Sequence, residues 1–251
     1  MKYVALTMSR GDSSRLKDWL EYHCQIGFDE FYIFLDNPID DSENIISDFS
    51  RNFDVEVHVE ILPPCGEYFD GLSGEERWEK VKQWRLENSD KIKRTGLPIV
   101  DPLSFRQYDN IPRILSSYSK CGQDGWLALF DVDEYIVIQD GGSIPELIDS
   151  IDSPRIRLLN FNFDMREWDK ESSVRDKKFR WSRDNIQSFG NEWQNRFKSI
   201  VRFDCLVPLV SVHGISKGKF FVVDHNIARL HHYKFPDQNL PIPYSIFDDT
   251  I

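Results

Sequence analysis

The run Gly125-Trp126-Leu127-Ala128-Leu129-Phe130-Asp131-Val132-Asp133-Glu134-Tyr135-Ile136-Val137-Ile138 decides how this chain folds. Trp126 to Phe130 are five consecutive apolar residues, the pattern of a strand buried on both faces of a sheet. Three acids follow at once, Asp131, Asp133 and Glu134. An α/β sheet receives its ligand at the carboxyl ends of its parallel strands, so this strand delivers its acids where the chemistry takes place. If the backbone stays extended, alternation sends Asp131 and Asp133 to one side, toward one cation. Two carboxylates together with phosphate oxygens suit Mg²⁺ or Mn²⁺. The D-x-D spacing by itself means little: with 27 Asp in 251 residues, chance gives about three such matches. The buried strand ahead of it carries the reading, because two such carboxylates repel each other without a cation.

Upstream, strands and helices alternate. Tyr3 to Met8 is a short apolar run, and Ser13-Ser14 open a stretch with Leu16, Trp19, Leu20, His23 and Ile26 at helical spacing, closed by Gly27. Glu30 to Leu35 reads as a buried strand ending in the polar turn Asp36-Asn37-Pro38, followed by a short helix around residues 44–49 and an alternating strand over Val55 to Ile61. This repetition predicts a parallel sheet. Asp36 ends its strand where it can bind a base or ribose, or else form an Asx turn.

Residues 63–104 break the rhythm. Pro63-Pro64 and several glycines lead into a charged helix predicted over 74–95, with Trp78, Val81 and Leu86 on one side. The segment reads as a helical insertion, either a surface helix packed by its tryptophans or a flap over the site. A helix over 105–120, a short helix over 143–151, a strand over Arg155 to Phe161 and three β-like runs near 197–203, 206–213 and 219–232 complete the pass. The chain reads as one domain of residues 1–251, with 1–62 and 105–140 as a nucleotide-binding half and 141–240 as an acceptor half.

Charge narrows the function classes. A net charge of −11 argues against a protein that grips nucleic-acid backbones, and anionic lipid surfaces are disfavoured for the molecule as a whole. Yet residues 150–234 carry 16 basic and 10 acidic side chains, a basic region able to face an anionic ligand such as a diphosphate. Cys24, Cys65, Cys121 and Cys205 are far apart and form no C-x-x-C pair, so they read as small core residues in a reducing compartment. No apolar run approaches the ~18–20 residues that span a bilayer. The expectation is a soluble cytoplasmic protein, with a peripheral position at the inner face of the membrane left open.

Four blocks then carry a resemblance. Ser9-Arg10-Gly11-Asp12 with Asp18-Trp19-Leu20-Glu21-Tyr22-His23, the strand ending in Asp36-Asn37, the block Trp126 to Tyr135, and the late segments Phe197 to Arg202, Val212-His213-Gly214 and His231-His232-Tyr233-Lys234 stand in the order found in glycosyltransferase family 2-like and family 92 proteins. The resemblance implies a GT-A-like, Rossmann-related α/β fold: a mixed, mostly parallel sheet flanked by helices. It also implies a nucleotide-sugar donor, UDP-linked by preference, a hydroxyl acceptor that is a glycan or lipid-linked, and a divalent cation, Mn²⁺ or Mg²⁺. Carried over by position, Asp131 lies near the donor and joins Asp133 at the metal, and a late histidine, His232 or His213, completes the metal shell. Arg10 and Asp12 stand where the family has Lys and Glu and would contact the donor with Asp36, while Lys198 and Arg202 would neutralise the diphosphate. For the acceptor's proton, Asp164 and Glu167 follow a buried strand and are the candidate bases, with Asp184 a third; Trp168, Trp181 and Trp193 suit sugar stacking. Two rivals remain at this point: a non-catalytic glycan- or protein-binding module of the same fold, and a haloacid dehalogenase-type phosphatase, in which Asp131 would be the nucleophile.

Overall fold

The computed structural model describes residues 1–65, 68–70, 72, 74–96, 101–182, 196–211, 214–235 and 243–251. Strand β1 (Lys2–Ser9) leads into helix α1 (Ser13–Gln25), then β2 (Glu30–Asp36), α2 (Ser42–Asn52) and β3 (Glu56–Leu62). Helices α3 (Gly74–Glu87), α4 (Ser89–Thr95) and α5 (Pro102–Lys120) precede β4 (Gly125–Leu129) and β5 (Glu134–Ile138). Helix α6 (Ile144–Asp149) then leads to β6 (Arg155–Asp164), β7 (Phe179–Arg180), β8 (Phe197–Arg202), β9 (Phe221–Val222), β10 (Ala228–Lys234) and β11 (Ile246–Phe247).

The sheet is mixed. Strands β3, β2, β1 and β4 run parallel in that order, so β1, β2 and β4 end along one edge of the sheet. Beyond β4 the chain changes sense: β8 pairs antiparallel with β4 and with β6, and β10 pairs parallel with β6 but antiparallel with β5. Parallel pairing is thus confined largely to the first half, where helical crossovers return the chain to the same end. Alternation along β1 divides the core: Ala5 packs with α1 and α2 on one face, while Val4, Leu6 and Met8 pack with α5 on the other. The mixed α/β GT-A-like architecture matches the sequence reading, except that antiparallel pairings are as many as parallel ones among the described strands, where a mostly parallel sheet was expected.

Several local expectations are corrected. The 74–95 helix divides at Asn88, and its buried residues are Val81 and Trp84, with Trp78 and Leu86 exposed. Residues 206–211 form no strand, and the 219–232 run divides into β9 and β10 around a turn at residues 224–227. Cys65 and Cys121 are exposed, not core residues. Trp181 is buried in the core and Trp168 donates to the Ser172 carbonyl, while Trp193 and Asp184 lie outside the described residues. No helix among the described residues is long and apolar enough to cross a membrane.

Gly125 starts β4 where no side chain fits: a Cβ there would lie 2.8 Å from the Lys2 carbonyl oxygen and closer still to the Phe203 ring. Gly125→Ala should therefore lower stability by about 1–3 kcal/mol, as overpacked core sites do. Urea unfolding measures this, and an unchanged midpoint would mean that the ring yields freely.

Candidate functional site

Strand β4 ends earlier than its apolar run predicts. Phe130 still donates to the Leu6 carbonyl at 3.2 Å, but the chain then turns, with Glu134 N donating to the Asp131 carbonyl at 3.0 Å. Asp131 and Asp133 consequently do not share a side through strand alternation; the expectation of an extended D-x-D is overturned by this turn. The Asp131 amide donates to the Glu134 carboxylate at 2.8 Å, which closes the turn from inside.

Lys198 holds the turn from β8. Its ammonium, 5% exposed, lies 2.9 Å from Asp131 Oδ2 and 2.8 Å from Glu134 Oε2. Burial works against its charge, but the two carboxylates outweigh it and raise its pKa. Burial, in turn, pushes the Glu134 carboxyl up. The sequence reading gave Lys198 to the diphosphate; in the structure its ammonium pairs with Asp131 and Glu134. Arg202, four residues further along β8, pairs with Asp204 in register with Trp126 at the opposite end of β4 and does not join the site.

Asp133 pairs instead with His232, which also lies 4.0 Å from Glu134. Its Oδ2 lies 3.3 Å from His232 Nε2, with His232 placed by the β5–β10 ladder opposite Glu134. Tyr233 N donates to the Asp133 carbonyl at 2.8 Å and fixes the approach of β10. Arg15, in the first turn of α1, is 4.0 Å from Asp133 and 2.7 Å from Asp12. Burial opposes ionisation of Asp133, but His232, Arg15 and Lys198 hold its carboxyl well below the usual carboxylate range. Asp12 precedes α1 yet makes no cap hydrogen bond; its carboxylate takes Ser9 Oγ and the Arg15 guanidinium instead. The acids Asp12, Asp131, Asp133 and Glu134 outnumber Arg15 and Lys198 here, an excess of negative charge that a divalent cation would reduce.

At the end of β2, Asp36 is 1% exposed and already partnered: Arg106 of α5 is 2.5 Å away and the Tyr68 hydroxyl donates at 3.1 Å. Arg10 lies 3.5 Å over the Tyr68 ring, pairs with Asp70 and donates to the Asp36 and Asn37 carbonyls. Residues of the 63–104 segment therefore close over the ends of β1 and β2. Asp164, at the end of β6, accepts hydrogen bonds from the backbone amide and the guanidinium of Arg166, which outweigh its burial and lower its pKa. It stands two residues past Asn162, the register partner of His232, on the same side of the strand. Glu167 is exposed with φ 57° and does not join this group. His213 lies outside the described residues.

Sequence reasoning missed Arg15 and Arg106. Arg15 sits in the first turn of α1, which begins just past the carboxyl end of β1, and that position is the signal that could have found it; Arg106 lies one turn into α5, which follows α4, and carries no such signal. Among the described residues, Glu30, Glu56 and His58 are the three metal-ligating side chains whose donor atoms lie within 4.8 Å of one another. They stand at the start of β2 and β3, about 20 Å from Asp36 along the strand, and Lys2 Nζ already bonds both glutamates at 2.6 Å.

Lys198→Met should destabilise the protein by about 3–5 kcal/mol, because it strands Glu134 as a buried charge without its partner. The double variant Lys198→Met with Glu134→Gln should recover part of that loss in thermal melts; no recovery would contradict the pairing.

The model of glycosyltransferase family 92 matches residues 123–250, just over half of the chain. Among solved structures, TarS 1-349 of S. aureus is 12% identical with a TM-score of 0.43, covering 93% of this chain and 60% of that one. HddC of Yersinia pseudotuberculosis is 12% identical over 92% of this chain and 93% of its own, with a TM-score of 0.40. Core-mannan synthase A of Aspergillus fumigatus, solved in a Mn/GDP form, is 12% identical over 65% of this chain and 43% of its own, with a TM-score of 0.35. This chain thus spans about 60% of the length of TarS 1-349, and at such distances these likenesses carry no part of the assignment. No curated protein matches. The family match takes in the whole D-x-D turn together with the strands that bring Lys198 and His232 to it, and the protein belongs to glycosyltransferase family 92.

Proposed function

We propose that the protein is a metal-dependent glycosyltransferase that moves a sugar from a nucleotide-sugar donor, by preference UDP-linked, to a hydroxyl of a glycan or lipid-linked acceptor, with inversion at the sugar carbon. The observation that carries this reading is the pairing of Asp133 with His232, 3.3 Å apart, beside a D-x-D turn whose other acids are held by Lys198. A partly exposed carboxylate and imidazole are a fitting partial donor set for Mn²⁺ or Mg²⁺, which leaves positions for diphosphate oxygens. When bound, such a cation supplies charge neutralisation for the departing diphosphate.

The chain's own residues divide the remaining work. Asp133 and His232 would hold the cation, and Asp131, anchored by Lys198, would line the donor side of the turn. Arg15 is the cation in place of Lys198 and Arg202 for the diphosphate, since its guanidinium reaches toward Asp133 from the start of α1. Asp164 would accept the proton of the attacking hydroxyl; the Arg166 contacts keep it ionised but weaken it as a base. Tyr68 of the 63–104 segment and Arg106 of α5, both at Asp36, would border the nucleotide.

Calorimetry with Mn²⁺ and a panel of UDP-, GDP- and dTDP-sugars tests the reading. Metal-dependent binding of one donor with slow hydrolysis is expected, and Asp133→Ala should abolish the binding while leaving the melting temperature within a few degrees. Binding without any turnover would favour a binding module of the same fold; absence of both would sink the proposal.

A further inference from the structure

Strand β6 carries two asparagines in its second half. Asparagine is unfavourable in strands, yet Asn160 and Asn162 are both buried there, and Asn160 Nδ2 donates to Asn162 Oδ1 at 2.9 Å. The two carboxamides therefore share one face of the strand, as residues two apart do. The bond occupies the oxygen of Asn162 and leaves its Nδ2 to donate elsewhere. Among the described residues, Asn160 Oδ1 is buried without a hydrogen-bond partner. An apolar pair would spare the fold that cost, so stability alone does not account for the two amides.

Their face is the one that carries the site. The Phe163 ring lies 4.2 Å from that of His231 and 5.1 Å from that of Tyr233. Phe163 and Tyr233 are register partners, so the residues before them, Asn162 and His232, share the opposite face. Glu134, the partner of His232 on β5, lies 4.0 Å from that imidazole. Asn162 is thus one strand, about 5 Å, from His232 and about 7 Å along β6 from Asp164. In the transferase reading, on which this inference rests, the cation and diphosphate meet beside His232 and the acceptor hydroxyl gives its proton to Asp164. The sugar ring must lie between those two points, beside Asn162.

We propose that Asn162 is a specificity-determining residue, donating from Nδ2 to a hydroxyl oxygen of the transferred sugar, and that Asn160 is the positioning residue that holds the amide for this contact. The ligand class is a hydroxyl-bearing sugar carried on a nucleoside diphosphate. Its hydroxyl accepts from the amide and keeps its own hydrogen for a second partner.

Calorimetry with Mn²⁺ separates the sugar from the nucleotide. UDP, GDP and dTDP are titrated, each alone and as its hexose conjugates, into the wild-type chain and the variants. The bare diphosphate that binds the wild type should bind Asn162→Ala equally well, whereas its sugar conjugate should bind about five- to ten-fold more weakly. Asn160→Ala should show a smaller loss of the same kind. Retained binding of the bare diphosphate also shows that a variant is folded. If Asn162→Ala unfolds, Asn160→Ala with Asn162→Ala, which strands neither amide, takes its place. Unchanged affinity for the sugar conjugate, or an equal loss for the bare diphosphate, would overturn the assignment and leave the transferase reading in place. A wild-type chain that binds none of these nucleotides would overturn both.

Discussion

The Lys198 ammonium, sealed between Asp131 and Glu134, is the contact on which the geometry of the site depends. Three acids in four residues at the end of a buried strand would otherwise push one another apart. One cation from the neighbouring antiparallel strand takes two of them and leaves Asp133 to the open side. The arrangement needs both halves of the fold: β4 from the parallel half supplies the acids, and β8 from the antiparallel half supplies the lysine. A buried charge cluster of this kind contributes little net stability, but breaking it is expensive, so it acts chiefly to select one conformation of the turn.

Helix α1 completes the frame from the other side. Trp19 Nε1 donates to the Glu134 carbonyl at 2.9 Å, Tyr22 donates to the Ile136 carbonyl at 3.1 Å, and His23 Nε2 accepts from the Ile136 amide at 3.2 Å. One face of a single helix thus grips the backbone of β5 immediately after the turn. The same helix brings Arg15 within 4.0 Å of Asp133. His23 is fully buried, and burial presses its pKa down to about 3, so it remains a neutral hydrogen-bonding strut. The aromatic and histidine residues that mark this helix in the sequence are therefore supports of the site, not its chemistry.

The legibility of the sequence followed the range of the interactions. Strands β1, β2 and β4 and helices α1 and α5 were readable because apolar spacing within ten or twenty residues specifies them. The D-x-D turn was located by its strand, yet its shape was misread: the residues that bend it, Lys198 and Glu134, act through a contact 64 residues apart in sequence, about which local alternation says nothing. Lys198 and Arg202 looked equivalent as basic residues on one strand, but antiparallel pairing puts them at opposite ends of β4. Asp36 was legible as a strand-end acid, while its engagement by Arg106 and Tyr68 depends on how residues 63–104 fold back, which no periodicity reveals.

We propose that a divalent cation meets the donor diphosphate beside Asp133 and His232, which lie 3.3 Å apart. Crystals grown with Mn²⁺ and UDP, measured at the manganese absorption edge, test it directly. The account predicts an anomalous peak in contact with the Asp133 carboxylate and the His232 imidazole. A single peak at Glu30, Glu56 and His58, or none beside Asp133, would contradict it.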